Sequence, residues 1–166
     1  MLSGSTARLR RAGADDHDIG AIRWCQSAVL LSLKRRATSG PVISTSRALR
    51  DYLHVDMSTS SRERLRTLHL NARNELLLDE ETSTGTIDAA PFHTREIVGR
   101  AIEVGGTSLI LVHNHPSGDP RPSTHDVQAT IALETVCRAL GITLLDHLIV
   151  GRDGIVSLRG EGYLAR

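Results

Sequence analysis

The chain has 166 residues, with 20 Lys+Arg against 19 Asp+Glu, 8 His and 2 Cys. That length fits one domain with at most a short appendage, and a formal net charge of +1 excludes the broad electropositive footprint of a dedicated nucleic-acid binder. Two cysteines, Cys25 and Cys137, cannot make a disulfide framework, and the absence of any run of about 18 apolar residues argues against a membrane span.

The start, Met1 to Arg11, is basic and bears Ser and Thr but leads into no apolar stretch, so a secretory signal is not expected and the cytoplasm is the expected location. Residues 1–18 read as a loose segment. From Ile19 to Ala37, Ile22, Cys25, Val29, Leu30 and Leu33 recur at helical spacing. Lys34-Arg35-Arg36 falls in the last turn, where cations suit the helix dipole, and Gly40-Pro41 ends the helix. A short helix is expected from Ser46 to His54. Two strand-like runs, Arg64–Leu70 and Leu76–Thr82, flank the polar turn Asn71-Ala72-Arg73-Asn74, which predicts a hairpin. Thr94–Val104 reads as a helix stopped by Gly105-Gly106. Ser108–Val112 is a continuous apolar run, the pattern of a strand covered on both faces. A helix over Thr124–Leu140 and strands near 142–150 and 155–158 complete the chain. The order β-β-α-β-α-β-β implies an α+β, three-layer domain with a mixed sheet.

The chemistry concentrates in His113-Asn114-His115-Pro116-Ser117-Gly118-Asp119-Pro120-Arg121-Pro122-Ser123-Thr124-His125-Asp126. Alternation along a strand points His113 and His115 the same way, and Pro116 ends the ladder, which places both imidazoles at the rim of the sheet. Asp126, brought back by the Gly/Pro-rich loop, is the obvious third ligand for a zinc ion that keeps an open position for water. Ser123-x-x-Asp126 is equally a capping box at a helix start, an arrangement that needs no metal. His54, His69 and His93 read as hydrogen-bonded structural histidines, His125 as surface, and Cys137 as inert core. Asp146 and His147 are strand neighbours, so only one of them can face and orient a ligand.

The spacing His113-x-His115-Pro116, seven residues from Pro116 to Pro122, then Ser123-x-x-Asp126 resembles the JAMM motif of JAB/MPN metalloproteases. The fuller string from His113 to Pro120, with Gly85–Ala90, Arg95-Glu96 and Leu145–Gly151, is similar to the RadC branch over about residues 42–160. It departs at Thr94, where the family usually places Pro. The resemblance implies the cytidine-deaminase-like mixed sheet of JAB1/MPN domains. Residues 1–40 would be a helical appendage, a remnant of a helix-hairpin-helix region, and residues 41–166 the catalytic domain. It further implies one Zn2+ per chain on His113, His115 and Asp126, an oxyanion contact from Ser123, and an upstream Glu as general base toward the attacking water. Glu80 is chosen for that role, with Glu81 as the alternative. The expected activity is that of a zinc-dependent metallopeptidase or isopeptidase acting on a peptide or protein. Two other readings stand beside it. One is a DNA-associated repair-type module using Arg8, Arg10, Arg11, Arg62, Arg64 and Arg66. The other is a non-catalytic MPN scaffold.

Overall fold

The strand Ser108–Asn114 (β3) is buried at all seven positions, because it lies at the centre of a five-stranded sheet with helices on both sides. In the computed structural model, which describes residues 6–42, 46–84 and 93–164, the sheet order is β2-β1-β3-β4-β5. Here β1 is Arg64–Leu70, β2 Leu76–Thr84, β4 Thr143–Gly151 and β5 Gly154–Ser157. The pairs β1/β2, β1/β3 and β4/β5 are antiparallel, and β3/β4 is parallel. The parallel pair is joined through the helix Thr124–Ala139 (α5), as a crossover between parallel strands requires. The expected three-layer α+β architecture with a mixed sheet is the one found, consistent with a JAB/MPN fold.

Alternation along the strands divides the core in two. Leu65, Leu109, Leu111 and Ile149 face α5 and the helix Thr94–Glu103 (α4), where Ile97, Val98, Ala101, Leu133 and Cys137 cover them. Leu68, Leu70, Ile110, Val112, Leu148 and Val150 face the other way. There Leu49, Tyr52, Leu53 and Met57 of Arg47–Met57 (α3) meet them, backed by Leu30, Leu33 and Ala37 of Asp16–Thr38 (α2). Each fully buried aliphatic side chain contributes about 1.5–3 kcal/mol, so both faces of the sheet anchor it.

The N-terminal segment is more ordered than its polarity suggests. Thr6–Arg11 forms a helix (α1), and α2 starts at Asp16, three residues before the apolar periodicity. Asp15 accepts from the Asp18 amide at 2.8 Å while the Asp18 carboxylate accepts from the Asp15 amide at 3.1 Å. This reciprocal cap extends the helix beyond its apolar stripe. The β1/β2 turn is built by Asn71, whose Oδ1 accepts from the amides of Arg73 and Glu75. The Gly85–Ala90 string lies outside the described residues. No helix among the described residues is long and apolar enough to cross a membrane.

Candidate metal centre

His113 is the penultimate residue of β3, and His115 follows just beyond its end. Their rings meet edge to face with centroids 4.6 Å apart. Asp126 stands in the first turn of α5, where Ser123 is the N-cap. The Asp126 carboxylate lies 3.7 Å from His113 Nε2 and 3.4 Å from His115 Nε2. The capping box is also present. The Ser123 amide donates to Asp126 Oδ2 at 2.7 Å and the Ser123 hydroxyl to the same oxygen at 2.6 Å, while Ser123 Oγ accepts from the Asp126 amide at 3.2 Å. The two explanations for Asp126 therefore coexist: the cap aims the carboxylate that the histidines meet. Burial opposes ionisation of Asp126, but the His115 hydrogen bond, the proximity of His113 and the Ser123 donors outweigh it and hold the carboxyl well below its usual range.

The carboxylate that completes the cluster is Glu63, not Glu80 or Glu81. Glu63 Oε1 lies 2.9 Å from His113 Nε2, and Glu63, His113 and His115 bring one ligand atom each within 4.8 Å of one another. The reason is strand order. Leu65 is opposite His113 in the β1/β3 ladder, so Glu63, two residues earlier, continues the same face beside the histidines. Strand β2 is separated from β3 by β1, and each strand spacing is about 4.8 Å. Glu80 instead accepts from His69 Nε2 at 3.1 Å and from Arg100 Nε at 3.2 Å, and Glu81 pairs with Arg64 at 2.6 Å. A sequence signal for Glu63 existed: it heads the alternation Glu63, Leu65, Thr67, His69, one residue ahead of the apolar run.

Contacts behind the cluster orient it. His115 Nδ1 donates to the Asp119 carbonyl at 2.9 Å; a carbonyl only accepts, so the Nδ1 of His115 carries a proton, and Nε2 is the nitrogen that faces Asp126. The hydrogen bond to Asp126, acting against burial and supported by the Asp119 carbonyl, raises the His115 pKa. His147 on β4 brings Nε2 to 3.3 Å from His113 Nδ1, and its own Nδ1 lies 2.7 Å from Thr130 Oγ1. Burial pushes His147 well below the usual histidine range, and His113 adds to the shift. Asp146, its neighbour, turns away to accept from the Ser157 hydroxyl at 2.7 Å and the Arg159 amide at 3.2 Å. His125 is exposed.

Two imidazoles and two carboxylates converging at a strand rim form a donor set suited to zinc, which takes nitrogen and oxygen ligands in a tetrahedral shell. Paired acids also supply the negative charge that a divalent ion neutralises.

Comparison with known proteins agrees with this geometry. The sequence model of the family described as "RadC-like JAB domain" matches residues 43–163. A UPF0758 protein of Ruegeria pomeroyi is 46% identical over 165 residues, spanning 99% of this chain and 74% of the relative. A UPF0758 protein of Rhodobacter capsulatus is 39% identical over 165 residues, spanning 99% of this chain and 77% of the relative. With the match extending through both histidines, Ser123 and Asp126, the chain belongs to the RadC-like JAB-domain family.

Proposed function

We propose that the protein is a zinc-dependent hydrolase of the JAMM type that cleaves a peptide or isopeptide bond, with Glu63 as general base. The observation that carries this reading is the meeting of His113 Nε2, His115 Nε2 and the Asp126 carboxylate at 3.4–3.7 Å, with Glu63 2.9 Å from His113. His113, His115 and Asp126 would hold the ion. When bound, zinc supplies Lewis acidity that polarises a carbonyl oxygen and brings the pKa of water to about 7.

Glu63 accepts the proton of the attacking water as its oxygen adds to the carbonyl carbon, and returns it to the amine as the C–N bond breaks. Its side chain is 16% exposed, open enough for a water to reach it. Ser123 is assigned the oxyanion contact, for which a donor is worth a few kcal/mol. Its exposed position at the rim supports that assignment, and its hydroxyl must turn from Asp126 to serve it. The substrate is taken to be a peptide or protein. The DNA-associated reading loses two of its phosphate contacts, because Arg64 and Arg66 are paired with Asp56, Glu81 and Asp79.

Metal analysis of the purified chain is expected to find about one zinc, lost on His115→Ala. Glu63→Gln should keep the metal while hydrolysis of a peptide or isopeptide library falls roughly 10²–10⁴-fold. Glu80→Gln and Glu81→Gln should cleave as the parent does. No zinc in the parent, or full hydrolysis by Glu63→Gln, would overturn the assignment.

A further inference from the structure

We propose that Thr130 and His147 are positioning residues that lock His113 in the one tautomer able to ligate a metal, and thereby set the affinity of the site without touching the ion. The inference rests on the metallohydrolase reading and extends it to residues outside the ligand set.

Direction along the hydrogen-bond chain follows from its first member. Thr130 Oγ1 lies 2.5 Å from the Asp126 carbonyl oxygen, which has no proton to give, so the hydroxyl proton must lie between them. That hydroxyl has only one proton. Its second contact, His147 Nδ1 at 2.7 Å, is therefore one in which the ring nitrogen donates and the hydroxyl accepts. With the proton on Nδ1, the Nε2 of a neutral His147 is a lone pair. It can meet His113 Nδ1 at 3.3 Å only as the acceptor. His113 then carries its proton on Nδ1, and its Nε2 lone pair is turned toward Glu63 and Asp126. Two acceptor carboxylates and an imidazole lone pair facing one point describe a seat for a cation.

The chain begins at the backbone of Asp126, the residue whose side chain supplies the third ligand. It runs from α5 to β4 to β3, so the elements that carry the ligands are locked to one another through three residues that are 0–1% exposed. A threonine bonding back to the carbonyl four residues earlier is common in helices. The additional feature here is the buried imidazole whose Nδ1–H the same hydroxyl accepts. Removing that acceptor frees His147 to carry its proton on Nε2, which would force the His113 proton onto the metal-facing nitrogen.

The test is zinc affinity of the full chain, measured by competition with a chromogenic chelator, for the parent, Thr130→Val and Thr130→Ser. Loss of a partner that orients a ligand typically lowers metal affinity 10–100-fold. That loss is expected for Thr130→Val, with Thr130→Ser restored to within about threefold of the parent, since it keeps the hydroxyl. In long-range ¹H–¹⁵N spectra of the zinc-free parent, His113 and His147 should both be protonated at Nδ1, an observation that holds even if Thr130→Val does not fold. A parent that binds zinc, with Thr130→Val binding equally tightly, overturns the relay and leaves the metallohydrolase reading intact. An Nε2 proton on His147 of the parent overturns the relay in the same way. A parent that binds no zinc overturns both.

Discussion

Asn114, between the two histidines, holds the backbone on both sides of Glu63. Its Oδ1 accepts from the Arg64 amide at 2.9 Å, and its Nδ2 donates to the Arg62 carbonyl at 3.1 Å. One side chain of β3 thus fixes the peptide that carries the proposed base. Asn114→Ala leaves the two part-buried backbone groups without those partners, and a loss of about 1 kcal/mol is expected in urea unfolding. Cys137 illustrates a different residue-scale rule. Burial, with Glu134 nearby, pushes its thiol from 9.0 up to about 11, while Cys25 is exposed. At pH 8 a thiolate-selective reagent should label about one thiol per native chain, and two after denaturation. Because the folded-state value is raised, this group's contribution to stability is complete below pH 9 and declines as pH rises through about 11.

At the scale of elements, the loop from Pro116 to Pro122 must be seated against the end of β4 for Asp119 to reach His115. Gly151 makes room for it: a Cβ there would stand 2.2 Å from the Gly118 carbonyl oxygen and 2.8 Å from the Pro120 nitrogen. Those are backbone atoms that cannot swing aside. Gly118 has a φ of 99°, the left-handed region that glycine occupies without steric cost, and Arg152 donates to the Ser117 carbonyl at 2.7 Å. Gly151→Ala should therefore displace the whole loop. A drop of roughly 1–3 kcal/mol in thermal or denaturant unfolding is expected from overpacking, together with weaker zinc binding as the Asp119 carbonyl withdraws from His115.

Across the whole molecule, the helical layer remote from the metal centre is tied to the sheet by a charged network as well as by apolar contact. Asp79 of β2, with its side chain 3% exposed, pairs with Lys34 of α2 at 2.6 Å and Arg66 of β1 at 3.5 Å. It also accepts from the Tyr52 hydroxyl of α3 at 2.8 Å. Four elements meet on one carboxylate, including α2, which lies outside the residues matched by the family model. Asp79→Ala removes the Lys34 pairing and the acceptor of the Tyr52 hydroxyl while Arg66 keeps Asp56 at 2.9 Å, and a cost of about 1–3 kcal/mol is expected in guanidinium unfolding.

By itself the sequence determined the elements after α1 and pointed to three members of the candidate site. His113, His115 and Asp126 were legible because local geometry relates them. Two histidines separated by a single residue point the same way at a strand end, and an acid three residues after Ser123 occupies the first turn of a helix. The cores on the sheet were legible for the same reason, since periodicity reports which face of an element is buried, whereas in α2 the periodic Cys25 and Val29 are exposed. Periodicity does not report which strand lies beside which, and that is what the tertiary structure decided. Glu63 reaches His113 because β1 is inserted between β2 and β3; with β2 in that place, Glu80 or Glu81 would have been the neighbouring acid. Thr130 and His147 likewise meet His113 through a helix and a strand 17 and 34 residues away along the chain. Side-chain direction is a local property of the backbone, whereas strand neighbours are set by the packing of the whole sheet.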